Sequence, residues 1–277
     1  MTSQQSACAA FKSLHESGCF VIPNPWDAGS AVFLQHLGFK ALATTSAGFA
    51  FSRALPDAID ALPRDMVLDH ARDIAAATTL PVNVDFQNGY ADDPEGVAEN
   101  VALCIKTGVA GLSIEDNAGT SLYETKLAIE RVAAARRAID ASGVPVLLTA
   151  RCEAWLLRDP DASRIARERL AAFAEAGADC LFAPGLKDLD EVAALVKIVA
   201  PKPLNELVSA PSTTLSVASL AAAGVRRISV GSALARTAWG AFARAAETLA
   251  KDGSFDGLEG ALPFATLNSI FATMRRP

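Results

Sequence analysis

Short stretches of this sequence place polar side chains directly after apolar runs: Thr44-Thr45-Ser46-Ala47-Gly48, Asp85-Phe86-Gln87-Asn88-Gly89-Tyr90, Glu115-Asp116-Asn117, Arg151-Cys152-Glu153 and Asn205-Glu206. Asp85 and Glu115, with Asp116 as a further candidate, are hard oxygen donors. Carboxylates that leave an ion part of its water shell suit Mg2+, with Mn2+ as the alternative. Zinc is not expected, because no His lies at these positions and Cys152 stands alone. Arg151 carries the planar fork that grips a carboxylate, or it pairs with Glu115 or Glu153. The Thr45-Ser46-Ala47-Gly48 turn offers hydroxyls and backbone N–H groups to an anion, or is an ordinary Ser/Thr turn. A divalent cation, an arginine and an N–H-rich turn together describe a site for a small 2-oxo acid. There the cation and the guanidinium would draw charge from a developing enolate.

These groups need a scaffold that brings them to one point. The chain repeats a short apolar run, a turn and an Ala-rich amphipathic segment. Strands are predicted at 20–23, 41–45, 82–86, 111–115, 146–150, 179–183, 203–208 and 227–230. Helices are predicted at 28–37, 64–77, 94–107, 124–141, 161–176, 188–199, 215–223 and 233–250. Gly38, Gly108, Gly143, Gly177 and Gly224 follow helix ends, where positive φ is common. Asp93-Pro94 and Asp159-Pro160 read as helix starts. Eight βα units without a change of composition predict a closed (β/α)8 TIM barrel, whose chemistry sits at the C-terminal strand ends. The competing fold is an open doubly wound sheet. It would more often carry a glycine-rich phosphate turn after its first strand, where this chain reads PNPWDAGS. The expected organisation is one barrel domain over residues 1–277. Residues 251–277, with Phe255, Leu262, Phe264, Leu267, Ile270 and Phe271, form an extension that packs on the barrel or on a neighbouring subunit.

Composition narrows the class. Of 277 residues 51% are hydrophobic, enough for a large core. The net charge of −6 is spread along the chain without a basic cluster, so no nucleic-acid partner is expected. No apolar run is long enough for a membrane span, and the N-terminus lacks the pattern of a signal peptide. The five cysteines, Cys8, Cys19, Cys104, Cys152 and Cys180, show no CxxC spacing and read as reduced thiols of a cytoplasmic protein. His15, His36 and His70 lie on or beside helices, as surface or packing residues. Gly231-Ser232 is a weak phosphate-site candidate, and packing is the simpler account of it.

The segments NPWDAGSA, GFKALATTSAG, LPVNVDFQNGY, GVAGLSIED, ARCEA, EAGADCLF and PLNELV, in this order and spacing, resemble the isocitrate lyase/phosphoenolpyruvate mutase superfamily over nearly the whole chain. The resemblance implies Mg2+, a barrel with its last helix swapped between subunits, and a homotetramer or homodimer. It implies substrates that are small 2-oxo or phosphono acids and a pyruvate-like enolate. By the same resemblance Asp85 is the central metal-site aspartate, and Glu115 holds metal-bound water. Arg151 binds substrate, while Thr45, Ser46 and Ala47 hold the 2-oxo-acid carboxylate. Asp57 lies near the metal waters, and Asn205 is the asparagine of the seventh strand.

The chain also departs from the family pattern. D-x-D-x-G-Y reads Asp85-Phe86-Gln87-Asn88-Gly89-Tyr90, so Gln87 stands where a second carboxylate is usual. It could still meet a metal-bound water. The K-[KR]-C-G-H loop of the isocitrate and methylisocitrate lyases is replaced by Asp116-Asn117-Ala118-Gly119-Thr120-Ser121-Leu122, and the mutase loop is not evident. Lys126 is not promoted to a mutase role. The expected enzyme is a Mg2+-dependent carbon–carbon lyase acting on a small 2-oxo acid, either an oxaloacetate decarboxylase or a retro-aldol lyase. Phosphoenolpyruvate mutase or phosphonopyruvate hydrolase chemistry is the enzymatic alternative. A 2-oxo-acid-binding barrel with little turnover, and a scaffold without ligand, are the others. No side chain stands out as the proton donor.

Overall fold

In the computed structural model, which describes residues 3–274, eight short parallel strands make one sheet. They are β1 (Phe20–Ile22), β2 (Leu42–Ala43), β3 (Val82–Asp85), β4 (Gly111–Glu115), β5 (Leu147–Arg151), β6 (Cys180–Phe182), β7 (Leu204–Leu207) and β8 (Arg227–Ser229). The pairing runs β1-β8-β7-β6-β5-β4-β3-β2, all parallel. A backbone hydrogen bond of 3.1 Å from Ala43 N to Pro23 O joins the two ends, so the sheet is a nearly closed (β/α)8 barrel. The helices are α1 (Ser3–Glu16), α2 (Ala28–His36), α3 (Ser46–Ser52), α4 (Arg64–Ala77), α5 (Pro94–Ile105), α6 (Thr125–Ser142), α7 (Ala162–Glu175), α8 (Leu189–Val199), α9 (Val217–Ala222), α10 (Ala233–Asp252) and α11 (Phe264–Met274).

Local chemistry sets several boundaries. Asp93 caps α5 by accepting from Gly96 N at 2.8 Å, with Pro94 in the first turn, as the sequence predicts. Asp159-Pro160 does not start a helix. Asp159 instead accepts from Asp161 N at 2.8 Å in a turn, and α7 begins at Ala162. The five predicted helix-end glycines all have positive φ. At Gly177 (φ 105°) an added Cβ would also lie 2.6 Å from Arg136 Cγ, so both conformation and packing require glycine.

Three helices, α1, α3 and α11, lie outside the predicted ranges. The predicted turn at Thr45-Ser46-Ala47-Gly48 is the start of α3, with Thr45 Oγ1 accepting from Gly48 N at 3.2 Å. The α1 helix lies under the barrel, with Phe11 and Cys8 in the core. An added Cβ on Gly111 would come within 2.6 Å of Phe11 Cε1, so a glycine at the foot of β4 makes room for this plug. At the other end of the chain α11 lies against α2 and buries Ile270, while Phe255 and Phe264 stay 70% and 82% exposed. Among the described residues no helix is long and apolar enough to cross a membrane.

The strands alternate. Val84, Leu112, Leu148 and Ile228 are buried, and the intervening positions Asn83, Asp85, Ser113, Arg151, Asn205, Arg227 and Ser229 line a cavity in the barrel. Glu206 falls in the other set. It is 1% exposed, and its Oε1 has no hydrogen-bond partner among the described residues. Burial pushes its carboxyl from an ordinary 4.5 up to about 8, against an opposing backbone bond at Leu207. Between these values only the unfolded chain ionises here, so this group makes stability fall as pH rises and level off above the folded value. Glu206→Gln is therefore expected to be more stable than the parent at pH 8.5, by on the order of 4 kcal/mol, with the gap closing toward pH 4.5. Urea denaturation at the two pH values checks this, and a pH-independent difference would refute a buried neutral carboxyl.

Candidate active site

The strand register builds the site. Glu115 pairs with Arg151, Arg151 with Phe182, Phe182 with Asn205, and Asn205 with Arg227, so these residues all stand on the inner wall of the barrel. Within it opens a cavity of about 240 Å³ lined by Thr45, Ser46, Ala47, Asp57, Asp85, Arg151 and Asn205 among others. An adjoining recess is lined by Asp57, Gln87, Glu115, Arg151 and Glu153. The residues singled out in the sequence thus meet at one mouth.

Arg151 is the hub. Its Nη1 lies 3.0 Å from Glu115 Oε1 and 3.8 Å from Asp85 Oδ1, and its Nε bonds to Glu153 Oε1. Both pairings weighed for it, with Glu115 and with Glu153, form together, which orients the guanidinium. Burial works against its charge, but Glu115, Glu153 and Asp85 outweigh burial and hold it cationic. The acids outnumber it. Burial raises Glu115 well above its ordinary range, Arg151 opposes this, and Glu153, Asp85 and Asp57 add to it. Burial, then Asp85, likewise raises Asp57, with Arg151 opposing. An excess of carboxylate around one arginine is an environment that would be relieved by a cation.

Asp85 is fixed at both ends. Its N–H donates to Thr44 Oγ1 and its Oδ2 accepts from Ser46 N, each at 2.9 Å. Its Oδ1 is buried without a hydrogen-bond partner among the described residues, and so is Gln87 Oε1. Gln87 sits at φ 46°, and its carbonyl accepts from Glu115 N at 2.8 Å, which holds it beside the glutamate. Two buried oxygens without donors, next to Glu115, fit a hard cation that keeps much of its water. Among the described residues no three His, Cys, Asp or Glu side chains cluster closely enough to enclose a metal alone. The donor set therefore suits Mg2+ or Mn2+ held largely through water.

Some expectations are corrected. Asp116 does not join the acids at the mouth. It lies one residue past the end of β4 and points away, where it accepts from Arg169 Nη1 at 2.9 Å and from Glu153 N at 2.8 Å. The Ser46 N–H, expected to face an anion, donates to Asp85 instead. Asn205 has both ends engaged, its Nδ2 with Ser229 Oγ at 2.9 Å and its Oδ1 with Arg227 Nε at 2.8 Å. Gly231 N donates to Asn24 Oδ1 at 2.9 Å, so packing uses that N–H. Cys152 is buried, which pushes its thiol above the neutral range.

A profile of the phosphoenolpyruvate phosphomutase family matches residues 11–250. The chain belongs to the phosphoenolpyruvate mutase/isocitrate lyase superfamily. A solved chain from Burkholderia cenocepacia J2315, described as a lyase/mutase, is similar at a TM-score of 0.93 and 46% identity, with 98% of each chain covered. Oxaloacetate acetylhydrolase in complex with its product oxalate is similar at a TM-score of 0.85 and 27% identity, over 96% of this chain and 94% of that one. The 2-methylisocitrate lyase of Escherichia coli K12 is 34% identical over 171 residues, 59% of this chain and 56% of the relative.

In this superfamily member the segment after β4 is a short tied-down hairpin. Asn117 bridges Leu122, Ala118 N donates to Ser121 O at 2.8 Å, and Asn117 Nδ2 donates to Glu115 Oε2 at 2.6 Å. The sequence reading missed three site residues. Glu153 was seen only as a partner of Arg151. Asn24 joins Thr44 O to the N–H groups of Val230 and Gly231, each at 2.9 Å. Arg227 lines the cavity from below. The available signal was alternation, since Arg227 shares strand parity with Ser229.

Proposed function

We propose that this protein is a Mg2+-dependent enzyme that cleaves a carbon–carbon bond of a small 2-oxo acid through a pyruvate-like enolate. It is an enzyme of the lyase and mutase class to which its relatives belong. One observation carries the finer reading: the bare oxygens of Asp85 and Gln87 and the guanidinium of Arg151 share one mouth.

Asp85 would hold the cation, with Glu115, Asp57 and Gln87 reaching it through water. When bound, Mg2+ (or Mn2+) would supply Lewis-acid withdrawal of charge from the oxo and carboxylate oxygens. Arg151, kept cationic and oriented by Glu115 and Glu153, would grip the same carboxylate and stabilise negative charge as it develops. Thr45, Ser46 and Ala47 would shape the seat of that carboxylate, and Asn205 would face the rest of the molecule. Phe182, Leu156 and Leu207 supply an apolar wall to the cavity, which limits the water around the reacting atoms. In decarboxylation of oxaloacetate the C3–C4 bond breaks, C4 leaves as CO2, the electron pair of the bond enters the enolate, and C3 then takes a proton from water. The exposed Phe242, Phe255 and Phe264 support a homodimer or homotetramer in which these apolar side chains meet a neighbouring subunit. Five unpaired thiols suit a reducing, cytoplasmic setting.

Product analysis by NMR tests the reaction. The protein is incubated with Mg2+ and oxaloacetate, 2-oxoglutarate, phosphonopyruvate or methylisocitrate. Cleavage of oxaloacetate above the metal-only rate, abolished by EDTA, is expected. Phosphate release from phosphonopyruvate alone would move the assignment to phosphonate chemistry, and binding without products would leave a binding barrel.

A further inference from the structure

Arg227 is a buried cation that the site described so far leaves without a task. It is 3% exposed, and among the described residues no carboxylate lies within ion-pair distance of it. Its neighbours are neutral. Nε donates to Asn205 Oδ1 at 2.8 Å and Nη2 to Thr149 Oγ1 at 3.0 Å, while Nη1 faces His15 Nε2 at 3.4 Å. His15 is kept uncharged, its value driven down to about 3 by burial and then by Arg227 itself. A guanidinium has five N–H groups, and these contacts use three. Burial works against the charge, and only the Cys180 thiol favours it. An isolated buried charge is costly unless something of opposite sign meets it.

The cavity shows where that counter-charge could come from. Arg227 lines the same cavity as Asp85, Ser46 and Arg151. The mouth of this cavity is rich in acid, and its floor is cationic. Arg227 reaches Thr149, two residues before Arg151 on β5, so it meets that strand roughly 6–7 Å below the backbone position of Arg151. We propose that Arg227 is a second carboxylate subsite, which takes the distal carboxylate of a four- or five-carbon 2-oxo diacid whose 2-oxo end sits at Asp85 and Arg151. The subsite rests on the proposed function, and it specifies the substrate as a dicarboxylate. Asn205 and Thr149 position the guanidinium. A monocarboxylic 2-oxo acid would leave Arg227 unpaired, so selection between the two classes follows from the same charge.

Calorimetric titrations in Mg2+ test this with four probes. Oxalate and pyruvate occupy only the mouth, whereas 2-oxoglutarate and 3,3-difluorooxaloacetate can reach the floor. The parent protein is expected to bind the better diacid at least tenfold more tightly than pyruvate. Arg227→Gln should weaken that diacid at least tenfold and leave oxalate within twofold, and Arg227→Lys should fall between. Equal losses for oxalate and the diacid, or no loss for either, would overturn the subsite and leave the 2-oxo-acid reading standing. If the parent binds neither oxalate nor any 2-oxo acid, the functional reading fails and the subsite falls with it. Should the variants not fold, the parent alone decides, and the absence of a diacid preference over pyruvate overturns the proposal.

Discussion

Arg151→Gln is expected to destabilise the metal-free protein by roughly 3–5 kcal/mol at pH 8, and by much less near pH 5. Arg151 stands among Glu115, Glu153 and Asp85, with its bond to Glu115 at 3.0 Å. Removing it leaves buried carboxylates facing one another without a cation. Glu115 and Glu153 are already raised by burial while Arg151 opposes the shift, so its loss raises them further. An acid raised above its unfolded value takes up a proton on folding, so stability falls as pH climbs from the unfolded value toward the folded one. The deficit of the variant should therefore grow from pH 5 to pH 8. Denaturation in EDTA at both pH values measures it, and equal deficits would show that lost packing, not charge, is responsible. Added Mg2+ should restore part of the loss at pH 8.

Asp85→Asn should do the reverse to stability while removing function. The amide oxygen can keep the bond from Ser46 N, now 2.9 Å from Oδ2, so the local fold survives. One negative charge leaves a crowded set of acids, and the EDTA-treated variant should melt at or above the parent temperature. The side chain would then turn an N–H toward the place where a cation belongs. Mg2+-dependent turnover should drop at least a thousandfold, about 4 kcal/mol of transition-state stabilisation. A variant that is less stable than the parent, or that retains turnover, would contradict this role. A gain in stability with a loss of activity is the usual sign of residues retained for chemistry.

The barrel was readable because each βα unit carries its own signals: Asp93 at a cap, Gly143 and Gly177 past helix ends, apolar runs ending in Asp85, Glu115 and Arg151. The elements that escaped lacked such signals. The α3 helix is seven residues of Ser, Ala, Gly and Phe after Thr45, too short for a helical period. The α1 helix precedes the first strand, so no βα rhythm announces it. Asp116 sits beside Glu115 in the sequence, but neighbouring strand positions face opposite ways, and that alternation sends it to Arg169. Arg226 and Arg227 are alike in sequence, and parity with Ser229 alone picks out the inward one. Sequence adjacency suggested chemistry, and strand parity decided which side chains reach the mouth.

The mouth of the barrel is expected to bind a 2-oxo-acid enolate with help from a divalent cation. Oxalate, a planar mimic of that enolate, tests it most directly by its effect on melting temperature. In the parent protein oxalate should raise the melting temperature in Mg2+ and not in EDTA, and Asp85→Asn and Arg151→Gln should show no response. A response to oxalate that is equal in EDTA, or that persists in Asp85→Asn, would contradict the account.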